Sequence, residues 1–210
     1  MFHLLYQTPS PSRFCYKRLL RDVATCPSSQ TKWNSFYDYS EAQWHSIYSS
    51  PFSSLRESKL QFFQFRFLHR ILGTNELLFK MRKRDNAVCT FCSTERETIE
   101  HLFWHCYVTS SFILDVELAL LGKQFVFSKE DIFFGYKLLQ THPYNFLIYH
   151  LKFFIFQAKL NCEAPNVPRF LRNFKFKLQV EKLLQKRTKS SFIPYVKLIS
   201  VFQECTMLSE

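Results

Sequence analysis

Glycine is scarce in this chain, with 3 residues in 210. Turn-rich β architectures rely on glycine where the backbone needs positive φ, so this scarcity, beside 25 Phe, favours helices. Acidic residues are also few. There are 17 Asp and Glu against 28 Lys and Arg, a net charge of +11, which points to a polyanionic partner such as nucleic acid or an anionic surface. A membrane-length apolar run is missing as well. The most apolar stretch, FLIYHLKFFIFQAKL at 146–160, is too short and is interrupted by His150, Lys152, Gln157 and Lys159, so it reads as a buried helix and no membrane partner is expected. The N-terminus MFHLLYQTPSPSRFCYKRLL lacks a basic region followed by a long apolar run and makes a poor signal peptide. With seven cysteines, an odd number, the compartment reads as reducing, which favours metal or free thiols over disulfides. The sequence has no internal repeat and no low-complexity segment.

The charge is unevenly spread. Residues 56–84 carry eight Lys and Arg against two acids, and residues 151–189 carry ten against two. Between them, residues 85–150 carry four bases and eight acids. Two basic arms therefore flank an acidic middle. Turn signals at TPSPS and TCPSSQ mark a mixed segment over 1–35. A short helix carrying Trp44, Ile47 and Tyr48 should follow Ser40, and SPFSS should break it. Leu60, Phe63, Phe67, Leu68 and Ile71 recur at helical spacing, with Gly73 placed to end that helix and Thr74 or Asn75 to cap the next, which carries Leu77, Leu78 and Met81. An apolar helix over 107–121 follows, then a short one capped by Ser128 with Asp131 at N3, then a long buried helix entered at Pro143. The last clear helix has an apolar stripe of Val167, Phe170, Phe174 and Leu178. Beside it Arg172, Lys175, Lys182, Lys186 and Lys189 align as one basic ridge. FIPYVKLISVF in the tail reads as a short strand or a packed loop.

The stretch VCTFCSTERETIEHLFWHC at 88–106 holds three of the cysteines and two histidines. Cys89 and Cys92 form C-x2-C, a spacing that lets a tight turn aim two thiolates at one ion. Downstream come His101, His105 and Cys106, one more candidate than a tetrahedral zinc site needs. Thr94 and Glu97 fit a capping box, which would start a helix near Glu95 and put His101 on its second turn. The set Cys89, Cys92, His101 and Cys106 gives C-x2-C-x8-H-x4-C, a knuckle-like pattern, and is preferred. Cys89, Cys92, His101 and His105 remain an open alternative, whereas a Cys2His2 finger built on His105 has no following His at the needed spacing. Without a metal, the same residues would be small core thiols and a core histidine. A redox C-x-x-C would need a βαβ setting, and a deaminase zinc site would need a Pro before Cys89; neither is present. A closed four-ligand site leaves no open position for catalysis, so the expected cofactor is one structural Zn2+. The fold class expected is mainly α, a helical domain stapled by a small Cys3His zinc knuckle with little or no sheet.

These residues resemble a known family. CTFC and ETIEHLFWHC, in C-x2-C-x8-H-x4-C spacing, resemble the zinc-binding region at the C-terminal end of reverse-transcriptase polyproteins of LINE-type, non-LTR retrotransposons. FQFRFLHRILGTNELLFK upstream, HLKFFIFQAKLN with the basic helix downstream, KW at 32–33 and SPF at 50–52 are similar too, so the resemblance covers about residues 32–190. It implies zinc on Cys89, Cys92, His101 and Cys106. It also implies a role in holding element RNA and target DNA, and a place in the nucleus or cytoplasm. It orders the chain as a variable segment 1–35, a helical segment 36–84 like the region after the polymerase thumb, a knuckle and helix 85–121, and a basic helical region 122–210. The five aspartates (Asp22, Asp38, Asp85, Asp115, Asp131) include no adjacent pair for a polymerase metal site, and 210 residues leave no room for a palm or an endonuclease, so no enzyme activity is expected. RNA or DNA backbone would then be held by Lys59, Arg66, Arg70, Lys80, Arg82, Lys83 and Arg84 on one arm and by the Arg172–Lys189 ridge on the other, with Phe91 and Trp104 able to stack on bases or, preferably, to pack the knuckle. The other readings are a zinc-stabilised protein-interaction module docking on a reverse transcriptase domain of another chain, and an inactive retroelement remnant.

Overall fold

The computed structural model describes residues 12, 15, 16, 18–20, 25–121 and 126–187, with side chains as far as Leu184. The turn signal TPSPS (all but Ser12), the tail FIPYVKLISVF and Lys189 lie outside the described residues, as does the side chain of Lys186. The chain divides into two compact units, Met1–Asp38 and Tyr39–Glu210. In the first, helix α1 (Ser28–Asn34) starts at Pro27, whose carbonyl accepts from the Gln30 and Thr31 amides at 2.8 and 3.3 Å. TCPSSQ is thus the start of a helix rather than a loop, because proline's fixed φ suits a helix lead-in.

The second unit is helical. Helix α2 (Glu41–Ser54) opens with a reciprocal cap between Ser40 and Gln43, as Ser40 leads one to expect. It is not broken by SPFSS. Pro51 sits inside it and is buried, and the turn around it is held from outside: the Ser50 and Ser54 hydroxyls both donate to the Gln140 carbonyl, at 3.2 and 3.0 Å. Tertiary hydrogen bonds here override the local cost of proline.

Helix α3 (Ser58–Leu68) buries Leu60, Phe63, Phe67 and Leu68, but it stops before Ile71, which is exposed. Gly73 is not its stop. Arg70 takes the left-handed position (φ 56°), its amide bonding the Phe67 carbonyl and the Ile71 amide the Arg66 carbonyl. Helix α4 (Asn75–Lys80), capped by Thr74, ends the same way on Arg82 (φ 55°). Glycine is usual at this position, but Asn, Arg or any other residue reaches it when the flanking contacts cover its conformational cost, about 1–2 kcal/mol. In a chain so poor in glycine, two successive helices end on arginine.

Helix α5 (Tyr107–Leu121) and helix α6 (Lys129–Phe134) follow, the second with the Ser128–Asp131 capping box read from the sequence. A 3-10 turn (Tyr136–Leu138) leads to α7 (Pro143–Leu160), with Pro143 in its first turn, and then α8 (Val167–Arg187). Among the described residues there is no β-strand, only an isolated bridge between Val88 and Arg96. No described helix is long and apolar enough to cross a membrane.

Phenylalanine makes the core. α7 is its axis, packing against α2, α3, α6 and α8. Phe67 meets Phe103 and Phe133 edge-on at 5.1 and 5.7 Å, and Phe112, Phe154 and Phe170 form a second set, the quadrupole-favoured geometry for aromatic pairs. Phe170, Phe174 and Leu178 are buried on α8, while Val167 is half-buried. Lys152 is wholly buried within this core. Its ammonium donates to the Phe133 carbonyl at 3.1 Å and lies 4.2 Å from the Phe67 ring centre, and burial pushes its pKa well below the ordinary lysine value. Lys159, the second cation in the same apolar stretch, reaches the candidate metal centre.

Candidate metal centre

The C-x2-C turn is framed by a short backbone ladder. The Cys89 amide donates to the Glu95 carbonyl and the Glu97 amide to the Ala87 carbonyl, both at 2.8 Å. Between these rungs the chain folds tightly enough for the Ser93 amide to reach the Cys89 carbonyl at 3.0 Å, with Ser93 itself left-handed at φ 56°. Both sulfurs therefore point to one side. The Phe91 amide donates to Cys89 Sγ at 3.4 Å, and the Thr94 hydroxyl to Cys92 Sγ at 3.1 Å. Donors aimed at sulfur are what a thiolate needs.

The helix after the turn does not begin near Glu95. Thr94 and Glu97 form no capping box. Helical structure starts at Ile99, with the Thr98 hydroxyl accepting from the His101 amide at 2.9 Å, so His101 lies in the first turn. The next turn, His101–His105, is a π turn closed by the Cys106 amide on the His101 carbonyl at 2.8 Å. In an α-helix, residues five apart lie about 140° apart around the axis. The wider π turn brings them near the same side, so H-x4-C can place both ligands on one ion.

The structure brings Cys89, Cys92, His101 and Cys106 together. Their four ligand atoms lie within 4.8 Å of one another, and all four residues are buried. Cys89 Sγ is 3.9 Å from Cys106 Sγ, and Cys92 Sγ is 3.3 Å from His101 Nε2. Tetrahedral zinc with thiolate and imidazole ligands sets them about 3.4–3.8 Å apart, so the cluster has room for the ion with little movement. His101 Nδ1 donates to Glu95 Oε2 at 3.0 Å, which leaves Nε2 facing the thiols. His105 turns away: it is exposed, and its Nε2 lies 3.3 Å from Lys129 Nζ.

Without metal the thiols share protons unequally. The hydrogen bond from Cys89 drops the Cys106 thiol to about 5 and pushes Cys89 far up. Burial raises Cys92, but bonds from the Thr94 hydroxyl and nearby amides bring it to about 7. Metal binding must displace the remaining protons. As the pH drops, zinc affinity should therefore fall by about tenfold per pH unit above pH 7, where Cys89 alone carries a proton, and by about a hundredfold per unit below it, where Cys92 joins; competition with a chromogenic chelator across pH 5–8 measures the slope.

Three groups missed by the sequence reading hold this turn in place. Glu97 is fully buried, and its two carboxylate oxygens accept from the Asn75 and Thr90 amides, both at 2.8 Å. Lys159 Nζ stands 3.5 Å from the same carboxylate and donates to the Gly73 carbonyl at 2.7 Å. The Asn75 side chain donates to the Val88 carbonyl and the Thr90 hydroxyl, and accepts from Arg84. The available signal was the lysine itself, a cation inside the most apolar stretch, which demands a buried acceptor.

With this geometry in view, the comparison with known proteins is specific. Residues 27–112 match the family described as zinc-binding in reverse transcriptase. The match runs from just before α1 into α5 and contains the whole Cys3His cluster. No curated protein and no solved structure matches the chain. The match to a zinc-binding family and the four convergent donors both point to zinc as the metal.

The candidate phosphate-binding residues are scattered around this segment. Lys59, Arg82, Lys83 and Arg84 are exposed and Arg66 half-buried. Arg70 is paired with Glu100, and Lys80 with Glu76 at 2.9 Å. Although burial pushes the Glu100 carboxyl up, the Arg70 bond holds it below its ordinary value, and the pair ties the end of α3 to the π turn. On α8, Arg172, Lys175 and Lys182 are exposed beside the buried stripe of Phe170, Phe174 and Leu178. Phe91 packs against the cysteine cluster together with Val108, and Trp104 is half-buried.

Proposed function

We propose that the chain is a non-catalytic, zinc-stapled module of a LINE-type, non-LTR retrotransposon reverse transcriptase that holds RNA or DNA by its backbone. One Zn2+ on Cys89, Cys92, His101 and Cys106 would neutralise the thiolates and lock the turn; with four protein ligands it has no position left for a substrate. The observation that carries the nucleic-acid reading is the α8 ridge. Arg172, Lys175 and Lys182 stand exposed on one face, and among the described residues no ion pair engages them. Cations left to solvent while nearby Lys177 and Arg169 are paired suit phosphates, which release counterions when bound.

Titration of single-stranded RNA and DNA against the zinc-loaded chain across salt tests this. Binding should weaken steeply with salt, and replacing Arg172, Lys175 and Lys182 together by Gln should lower the log–log slope by about two to three with little change in sequence preference. Absence of binding at low salt overturns the reading.

A further inference from the structure

Helix α3 has an exposed face that the core does not explain. Phe62 and Phe65 are 61% and 43% exposed, although deeper positions of the same helix take Phe63 and Phe67. Their rings lie nearly parallel, 11° apart with centres at 6.2 Å. Cations border them. The Arg66 guanidinium sits 6.0 Å from the Phe62 ring centre, and Lys59, one turn earlier, lies over Phe153 at 5.3 Å. At about 100° per residue, Lys59, Phe62, Phe65 and Arg66 fall within a single arc of roughly 120°. The stretch SKLQFFQFRFL contains no acid. Adjoining this helix is a groove of 490 Å³ between α3, α7 and α8, lined by Lys59, Phe153, Phe176 and Lys177 among others. Its one carboxylate, Glu57, is taken up by Lys177, and burial pushes its histidine, His150, down to about 4, leaving it neutral.

We propose that this face is a stacking platform for unpaired bases, so that the nucleic acid held here is single-stranded. Flat π surfaces with cations on one edge match a strand that presents bases on one side and phosphates on the other. Duplex has no free base faces to offer them. A purely apolar protein partner would gain nothing from Lys59 and Arg66 at the border. The inference rests on the nucleic-acid reading above and narrows it from backbone contact to strandedness.

The test uses the full, zinc-loaded chain with an oligouridylate of about 12 nucleotides, the equivalent oligothymidylate, and a duplex of matched length. Replacing Phe62 and Phe65 together by Ala should weaken single-strand binding at least about tenfold and leave the salt slope unchanged, because stacking carries no counterions. Duplex binding should change less than about twofold, while Phe62→Trp with Phe65→Tyr should restore the single-strand affinity. Both residues are exposed, so zinc content and helicity should be unaltered, and the aromatic-for-aromatic variant guards against misfolding. Wild-type single-strand affinity in the double-Ala variant, or equal losses on both substrates, overturns the platform while leaving backbone binding intact; the face would then be open to a protein partner. If the unaltered chain binds neither substrate at low salt, both readings fall.

Discussion

Cys106→Ser should strip the chain of zinc, whereas His105→Ala should leave it at one ion per chain by elemental analysis. The two residues are adjacent and compete for the fourth position by sequence alone, but their surroundings differ. Cys106 is wholly buried, its sulfur 3.9 Å from that of Cys89, and its amide closes the π turn. His105 is exposed beside Lys129, and partial loss of solvent on one side together with that ammonium lowers its pKa, so it stays neutral without needing a metal. A serine hydroxyl is a poor zinc ligand, and structural zinc sites contribute apparent binding free energies of about 10–16 kcal/mol at neutral pH, so the loss should also unfold the turn. Far-UV circular dichroism and thermal melting before and after chelation read this second effect. Zinc retained by Cys106→Ser and lost by His105→Ala would reverse the assignment.

Glu97→Ala should cost about 3–5 kcal/mol of stability, a large share of what a domain of this size has. It strands two donors, the Asn75 and Thr90 amides, and leaves the buried Lys159 ammonium without its counter-charge, with the Gly73 carbonyl still accepting from it. The loss should appear as a lower urea midpoint with zinc held saturating. Adding Lys159→Met to Glu97→Ala should recover part of it, since the double variant no longer buries an uncompensated cation. A cost under about 1 kcal/mol, or no recovery, would show that the clamp contributes little.

The helices and the cysteine spacing were legible because they depend on local chemistry. Ser40 and Ser128 cap as their neighbours predict, and C-x2-C needs only a tight turn. What misled were patterns with two physical outcomes. Thr94 and Glu97 have the spacing of a capping box, but a carboxylate can equally serve distant amides, and Lys159 from another helix settles the matter here. Pro51 and Gly73 carry breaker signals that hold only if nothing outside intervenes. Serines bonded to Gln140 sustain the helix through Pro51, and Arg70 ends its helix before Gly73 is reached, steadied by Glu100. The stacked face of α3 was hidden because Phe62 and Phe63 look alike in a row of aromatics until burial separates them.

The π turn has a consequence for how this segment can vary. It hands directly from His101–His105 to α5 at Tyr107, with only Cys106 between. Losing one residue from the turn would restore an ordinary helical step and carry Cys106 about 100° around the axis. It would also pull on the start of Tyr107–Leu121, which is tied to Cys106 directly and holds Phe112, Ile113 and Val116 in the core. The ligand spacing and the packing of α5 are thus one constraint. Single-residue insertions or deletions between the last two ligands should be rejected even where the ligands themselves survive, and length changes should collect instead on the far side of α5.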